Sequence, residues 1–574
     1  MPTFEGGGFL GQATPLGLME RLAGRASGVI GAVSVIALLT LLSRIFGLAR
    51  WLAQSTWVGA QAVANGYASA NQLPNVIFEV AAGGALAGVT VPLLALPVSR
   101  HLKKDVNRLS SALLTWTLVI LIPLAVILWA LSGHIASWMP DTVGSDVEAQ
   151  NQLMAWFLSI FAWQLPLYGI SIVLTGILQA HKKFFWPAIA PLLSSSVVIV
   201  AYAGYGYLSQ GIDDPNTVSR YALLVLAWGT TGGVMAMSLP LFIPVWRLGI
   251  RLRPRFTMQK TELRRALSLA GAGIGALIAQ QVSVLTNLTL ARSGGELGTV
   301  AVYQYTQAVY VLPYAVLAVP VATAVFPRLT ELAAQKNMGG FARVTAASTR
   351  SVIAVTLLGT AALIALGPAA EAVFSWRNPV EGMSTALVWL APSLVGYALL
   401  FHISRVLYAV DAGHLAVICS MLGWLCTAVV SIVAVKVLSP HGANGPATLQ
   451  GLGIGQSVGM TVAAIALLLA VYKKIGKNAL RGIVRTVVTC TLASVVAGLL
   501  GRLSYDSILD ATNTTMLMVL LAACICGILV VVIVVLAIWL GLRDLVPVSL
   551  PRRARTQASV PPSLGTVTSE RDEP

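Results

Sequence analysis

Long apolar runs constrain this chain more than any other feature. About fourteen of them, the first near 29–49 and the last near 515–541, follow one another along its 574 residues. A run of some 18 or more apolar residues can cross a hydrocarbon core of about 30 Å as a helix. In lipid every backbone amide must be satisfied within its own segment, so such runs form helices that bundle together. The composition agrees, with 57% of residues hydrophobic and 10% charged, against roughly a quarter charged in a soluble protein. The expected fold is an all-α polytopic membrane protein with about 14 transmembrane helices.

The loops order these helices across the bilayer. The loops after the second, fourth, sixth, eighth and twelfth runs are basic, with Arg100, Lys103, Lys104 and Arg108, then Lys182 and Lys183, then Arg247 to Arg265, then Arg328 to Arg350, and Lys473 to Arg481. The alternate loops carry Asp141, Asp146 and Glu148, then Asp213 and Asp214, Arg292 and Glu296, Arg377 and Glu381, and finally Arg502, Asp506 and Asp510. Basic loops stay in the cytoplasm. A missed helix would scramble the alternation from that point onward, and it does not scramble. Both termini are therefore expected on the cytoplasmic side of a multi-pass protein. The net charge of +16 is explained by these loops. It does not point to nucleic acid, because no basic patch is interleaved with aromatics. Five cysteines, all within apolar runs, fit neither a zinc site nor a disulfide framework.

A faint internal repeat divides the chain. Pro166, Gly169 and Leu178-Gln179-Ala180 in the fourth run resemble Pro392, Gly396 and Leu407-Tyr408-Ala409 in the tenth. Leu73-Pro74 with Pro92 in the second resembles Leu312-Pro313 with Pro327 in the eighth. Both pairs lie six helices apart, which predicts two pseudo-symmetric six-helix lobes, as in transporters whose substrate site lies between repeats. The expected organisation is a cytoplasmic segment 1–28, an N-lobe 29–249, a C-lobe 250–480, two further helices over 481–542, and a disordered cytoplasmic tail 543–574.

Charge at membrane depth costs about 2.5–3.5 kcal/mol on insertion scales, so each buried ion needs a reason. Arg44 and Arg50 stand in the first run, six residues apart, hence about 9 Å along the helix and about 120° around it. They can face one broad cavity, and guanidinium suits bidentate recognition of a diphosphate. The competing reading has Arg50 reaching the interface and Arg44 paired with Glu79. Glu79 is expected to hold Arg44, with a coupling-ion role as the alternative. The second segment is polar in its first half, with Asn65, Ser69, Asn71, Gln72 and Asn75, and Pro74 bends it, so it is expected to line a cavity. Gln280, Gln281 and Asn287 give the seventh helix a polar face, for cavity lining or for bonds between helices. His402 reads as a satisfied bundle histidine and Arg405 as an interfacial anchor. No catalytic motif, metal-ligand cluster or nucleotide loop is present. With no cofactor, transport would draw on the membrane potential, an ion gradient such as that of a monovalent cation, or the substrate's own gradient.

Taken together, several motifs resemble those of the MurJ/MviN lipid II flippases. Leu42-Ser43-Arg44-Ile45-Phe46-Gly47-Leu48-Ala49-Arg50 is similar to that family's first-helix signature. Ala70-Asn71-Gln72-Leu73-Pro74-Asn75, Gly83-Gly84-Ala85 and Val91-Pro92 follow at the right distance. Phe185-Trp186-Pro187-Ala188-Ile189-Ala190-Pro191 in the fifth run, and Leu312-Pro313 with Phe326-Pro327-Arg328-Leu329 in the eighth, also fit. The "ANQLPN" spelling resembles the branch found in high-GC Gram-positive bacteria. The resemblance covers about residues 30–540. It implies a bacterial plasma-membrane exporter that moves lipid-linked peptidoglycan precursor outward by alternating access, with cell-wall synthesis proteins and membrane lipids as neighbours. Arg44, Arg50 and Ser43 would then form the diphosphate site of a central cavity, with Glu79, Asn65, Asn75, Gln280, Gln281 and Gln307 lining it or coupling. The chain departs from the family's pattern at Asn65, at Phe78 and Glu79 where paired arginines are usual, at Gly83, and at Gln307-Ala308 where an Asp-Arg pair is expected. An exporter of another lipid-linked glycan, or a transport-inactive paralogue scaffolding the cell-wall machinery, are the rival readings.

Overall fold

The computed structural model describes residues 29–142, 146–262, 264, 271, 273–511 and 515–542. The segment 1–28 and the tail 543–574, expected as cytoplasmic ends, lie outside the described residues. The described residues are mostly helical and contain no strand. Eleven helices are long and apolar enough to cross a bilayer, and a twelfth is counted when Met383–Leu390 and Ser393–Ala409, bent by 49°, form one span. The expected number of fourteen is therefore not reached by this measure. Of the remaining segments, Val29–Trp57 is one continuous helix. The second segment, 62–99, is broken and polar in its first half, and only Val89–Ser99 emerges from it as an apolar stretch. Large apolar side chains such as Val200, Leu503 and Ile528 stand exposed around the bundle, as expected of surfaces that face lipid rather than water.

Two halves of the same design are visible in the packing. The first helix, Val29–Trp57, runs along the fifth, Phe185–Ser209; six helices on, the seventh, Ile274–Ser293, runs along the eleventh, Gly413–Leu438. The fifth packs on the sixth, Arg220–Ser238, as the eleventh packs on the twelfth, Gly445–Ile475. The second and eighth helices are each interrupted by a five-residue π-helical turn, Glu79–Gly83 and Tyr314–Ala318. A proline stands upstream of each (Pro74 and Pro313) and withholds one backbone donor. Such wide turns recur at functional breaks in helices. Residues 250–259, between the halves, are strapped onto the third helix, Lys103–Ala130: the Arg253 and Arg255 amides donate to Ser111 Oγ (3.1 Å) and Thr115 Oγ1 (3.0 Å). The thirteenth and fourteenth helices, Ile483–Asp510 and Met516–Leu542, pack on the ninth, Met338–Phe374. Small residues such as Ala361, Ala365 and Ala497 bring the backbones close there.

The lobes meet firmly at one end, the one that carries the acidic loops. Asn378 Nδ2 donates to the Ser55 and Thr56 carbonyls at 2.9 and 3.0 Å. Tyr305 donates to the Gly59 carbonyl, and Gln304 to that of Ala68 at 3.2 Å. Arg292, 1% exposed, donates to the Pro140 carbonyl (2.9 Å) and to Ser69 Oγ (3.2 Å). Gly298, at φ +95°, lies so close to Ala60 that a β-carbon there would stand 1.6 Å from the Ala60 carbonyl oxygen. Toward the basic end the lobes touch through the Glu79–Gly83 turn and the seventh helix.

Candidate functional site: a two-chambered cavity between the lobes

The first helix places the site. Its last turns are fixed by Gln54, whose carboxamide oxygen accepts from Tyr202 (3.1 Å), while Tyr202 bonds Tyr67 (2.9 Å) and Tyr67 bonds Thr230 (3.0 Å). Tyr67 is wedged edge-on between Phe157 and Phe161, so this buried network is rigid. One turn before Gln54, Arg50 lays its guanidinium 4.9 Å over the Trp51 ring, a cation–π contact. Ser43, Arg44, Arg50 and Trp51 line a cavity of about 520 Å³, closed by Pro187, Pro191 and Ser195 of the fifth helix and by Ala308, Val311 and Leu312 of the eighth. The two arginines thus share one cavity despite their angular separation. Among the described residues neither has a carboxylate within salt-bridge distance. Two guanidinium groups on one helix wall of a cavity, without a carboxylate partner among the described residues, have the chemistry that suits a polyanion.

A second chamber, of about 400 Å³, opens beside the first and shares Trp51, Ala308 and Val311 with it. Its walls come from both lobes: Gln72 from the second segment, Gln280 and Asn287 from the seventh helix, Tyr303, Gln304 and Gln307 from the eighth, Gln456 from the twelfth. Gln307 donates to Gln456 Oε1 and to Tyr303 Oη, both at 2.9 Å, and Asn287 donates to the same Tyr303 oxygen at 2.9 Å.

The structure brings Ser43, Arg44, Arg50, Gln280 and Gln307 together around this cavity. It leaves four other candidates outside the lining. Asn65 is 1% exposed and donates to Thr142 Oγ1 at 3.3 Å, joining helices rather than facing space. Asn75 folds back onto the Asn71 carbonyl of its own helix at 2.8 Å. Gln281 lies one residue, about 100°, around the helix from Gln280 and is buried. Glu79 heads the π-turn and is exposed. The expected Glu79–Arg44 ion pair is absent among the described residues, because the π-turn packs against the seventh, third and fourth helices instead of the first. His402, 1% exposed, bonds Ser348 Oγ at 3.1 Å through Nε2, while its buried Nδ1 is left without a partner, so the histidine expected to be satisfied in the bundle is satisfied on one side only. Arg405 stacks 3.5 Å above the Phe401 ring and donates to the Phe401 carbonyl.

Sequence reading took Arg292 for a loop charge. Its burial between the lobes has no local signal, since the residues that hold it come from two distant loops and helices. Asp213 was likewise read only as an outer-loop charge. In the structure its carboxylate accepts from the Val63 amide at 3.2 Å and caps the start of the second segment. Burial pushes the Asp213 carboxyl up to about 7, more than the backbone bonds lower it, with Asp214 adding to the rise. A carboxyl whose folded pKa lies above its unfolded value adds stability at low pH and loses it as pH rises through the folded value. Thermal stability of the purified protein should therefore fall between pH 5 and 8, and Asp213→Asn should flatten that fall. An unchanged pH profile in Asp213→Asn would remove this carboxyl as its source.

The comparisons with known proteins agree with this architecture. The family model described as "Lipid II flippase MurJ" matches residues 54–507. A probable lipid II flippase MurJ of Rhizobium meliloti (strain 1021) is 24% identical over 368 residues, covering 63% of this chain and 66% of that protein. The lipid II flippase MurJ of Burkholderia cenocepacia is 24% identical over 314 residues, 52% of this chain and 57% of that protein. The chain thus aligns with two thirds or less of the length of these curated relatives. Among solved structures, a lipid II flippase MurJ in an inward closed conformation superposes with a TM-score of 0.69 at 18% identity, over 89% of this chain and 99% of that one. An inward-facing multidrug resistance transporter of the MATE family follows at 0.58 and 15% identity, over 76% of this chain and 94% of that one. With a family model spanning most of the chain and a shared fold around the cavity, the chain belongs to the MurJ lipid II flippase family.

Proposed function

We propose that the protein moves lipid-linked peptidoglycan precursor, lipid II, from the cytoplasmic to the outer leaflet of a bacterial plasma membrane by alternating access of its lobes. The observation that carries this reading is the pair Arg44 and Arg50, without acidic partners, in a cavity walled by both lobes. Such a site can grip a diphosphate through charge-assisted bonds. The firm closure at the acidic end and the thinner contact at the basic end suit a state that loads from the basic side. The basic end then faces the cytoplasm, with both chain termini there. Energy comes from the membrane potential or a monovalent cation gradient, without a resident cofactor, and the exposed apolar side chains of the last two helices, such as Leu499, Leu503 and Val532, would meet the prenyl tail. Cell-wall synthesis proteins are its expected neighbours, and no chemical step on the cargo is required.

The deciding experiment is complementation of a flippase-depleted bacterium, with lipid II exposure on the outer leaflet measured directly. Growth without lipid II exposure would favour a different cargo. Stable membrane insertion with no rescue would favour the transport-inactive reading, which the replacement of an Asp-Arg pair by Gln307-Ala308 supports. Orientation is tested by single-cysteine labelling. Sites at Asp146, Asp214 and Asp510 should react with an impermeant reagent from outside, and sites at Lys103, Arg253 and Lys474 should not. Protection at Asp214 would reverse the assignment of ends.

A further inference from the structure

A cavity of about 740 Å³ lies at the basic end of the N-lobe and shares no lining residue with the two central chambers. The second segment ends beside it at Ser99, the fourth helix, Gln164–Ala180, ends there, and Phe242–Arg247 closes the sixth span just before it. The third helix starts there at Lys103. His101 and Lys103 line the cavity from one of these junctions, His181 and Lys182 from another, and no carboxylate lines it. The nearby acid Asp105 is held by Arg108 at 3.3 Å. Among the described residues the side chains of His101, Lys103 and Lys182 form neither a hydrogen bond nor an ion pair. His181 donates its Nδ1 to the Ile177 carbonyl at 2.8 Å, which leaves Nε2 for a ligand. The buried part of the lining is apolar, with Val106 and Ile250 at 5% and 4% exposed.

The repeat supplies an internal comparison. Lys182 sits at φ +58°, the left-handed conformation for which glycine is the usual residue past a helix end. Its repeat-related position in the C-lobe, Asp411, sits at φ +56°. The junction therefore needs a left-handed residue in both lobes, and its backbone accepts either sign of charge. A lysine here, beside three further basic side chains, answers a demand of chemistry rather than of backbone.

Basic groups with no acid among them suit a phosphate, and basic pockets between membrane helices on the cytoplasmic side take lipid headgroups. Next to the lining residues in sequence, Leu96, Leu102 and Trp246 are 50%, 44% and 73% exposed. Such apolar surface suits acyl chains, with the indole at headgroup level; a free phosphate has no use for it. We infer that this N-lobe pocket binds the phosphate headgroup of an anionic phospholipid. Placing that lipid in the cytoplasmic leaflet rests on the orientation proposed above; the binding itself does not. The wall from Leu248 to Ile250 leads into the strap that the Arg253 and Arg255 amides tie to the third helix. A seated lipid therefore braces the start of the link between the lobes.

The test measures binding of three probes to the detergent-purified full chain: dioleoylphosphatidylglycerol, zwitterionic dioleoylphosphatidylcholine, and soluble glycerol 3-phosphate. Wild-type protein should bind the first far more tightly than either of the others. Replacing both pocket lysines, Lys103→Gln with Lys182→Gln, should weaken it by roughly thirtyfold at an unchanged melting temperature. Lys473→Gln with Lys474→Gln, at exposed lysines of the same end outside the pocket, should keep wild-type binding. Lys182→Gly separates backbone from chemistry: glycine fits the left-handed junction, so the melting temperature should stay near wild type while binding weakens. Equal losses in the two lysine pairs would reveal general surface charge and overturn the pocket, as would no loss in the pocket pair. Phosphatidylcholine bound as tightly as phosphatidylglycerol overturns the anion, and glycerol 3-phosphate bound as tightly overturns the lipid. Binding of no probe overturns the whole assignment. Complementation can fail without altering any of these outcomes, so the export reading and this one are separable.

Discussion

Arg44→Ala is expected to abolish precursor export while the protein still reaches the membrane. The side chain lines the cavity without an acidic partner, so its removal leaves no orphaned carboxylate and need not disturb the fold. What is lost is a charge-assisted contact to the diphosphate, of about 1.5–3 kcal/mol, or a fall in affinity of about tenfold to a hundredfold. Arg44→Lys should restore export only in part, because an ammonium keeps the charge and loses the planar fork. Lipid II exposed on the outer leaflet, normalised to membrane protein level, is the readout. Full export by Arg44→Ala at native expression would take Arg44 out of the site. The absence of an Arg44–Glu79 pair sharpens the expectation, since no carboxylate among the described residues competes with the cargo for this guanidinium.

Gly298→Ala should have an effect of similar size through the opposite end of the molecule. One added carbon would meet the Ala60 carbonyl oxygen at 1.6 Å, where ordinary contact begins near 3.4 Å. The β-carbon is fixed to its Cα and the oxygen belongs to the main chain, so neither can turn aside, and the lobes must back off by about 2 Å to restore contact distance. Alternating access needs this end shut while the other is open, so export should fail. Spin labels at Asp214 and Glu381, on loops of opposite lobes at the acidic end, should report a longer distance in the variant. Gly211→Ala provides the control: Gly211 also has positive φ, at +82°, and its added carbon meets open space. An unchanged label distance together with normal export in Gly298→Ala would show that this contact does not close the cavity.

The spans were legible because apolar length and loop charge are local properties. The two lobes were legible because proline and glycine positions repeat. The arginines could be singled out because a cation within an apolar run is anomalous wherever it points. Polar uncharged residues carry no such anomaly. Asn65, Asn75 and Gln281 have the same composition signal as Gln280 and Gln307, and only the rotation of each helix, set by tertiary packing, decides which face space. Gln281 and Gln280 differ by one residue and by about 100°. The amide chamber combines helices from both lobes, so no single stretch of sequence announces it. Arg292 was hidden for a related reason: a charge near a helix end reads as solvated until the partner lobe is seen to cover it.

The bonds that seal the acidic end divide their chemistry unevenly. The donors, Arg292, Gln304, Tyr305 and Asn378, are all side chains of the second half of the chain, and all but two of the acceptors are main-chain carbonyls of the first half, the exceptions being Ser69 Oγ and Met154 Sδ. A carbonyl is present whatever side chain its residue carries. Selection can therefore act on the seal mainly through four codons in one half, while Ser55, Thr56, Ala68 and Pro140 are free to drift as far as local packing lets them, and Gly59 is held instead by its φ of +82°. Related chains that have diverged widely could keep the same seal with little shared sequence on its first-half side.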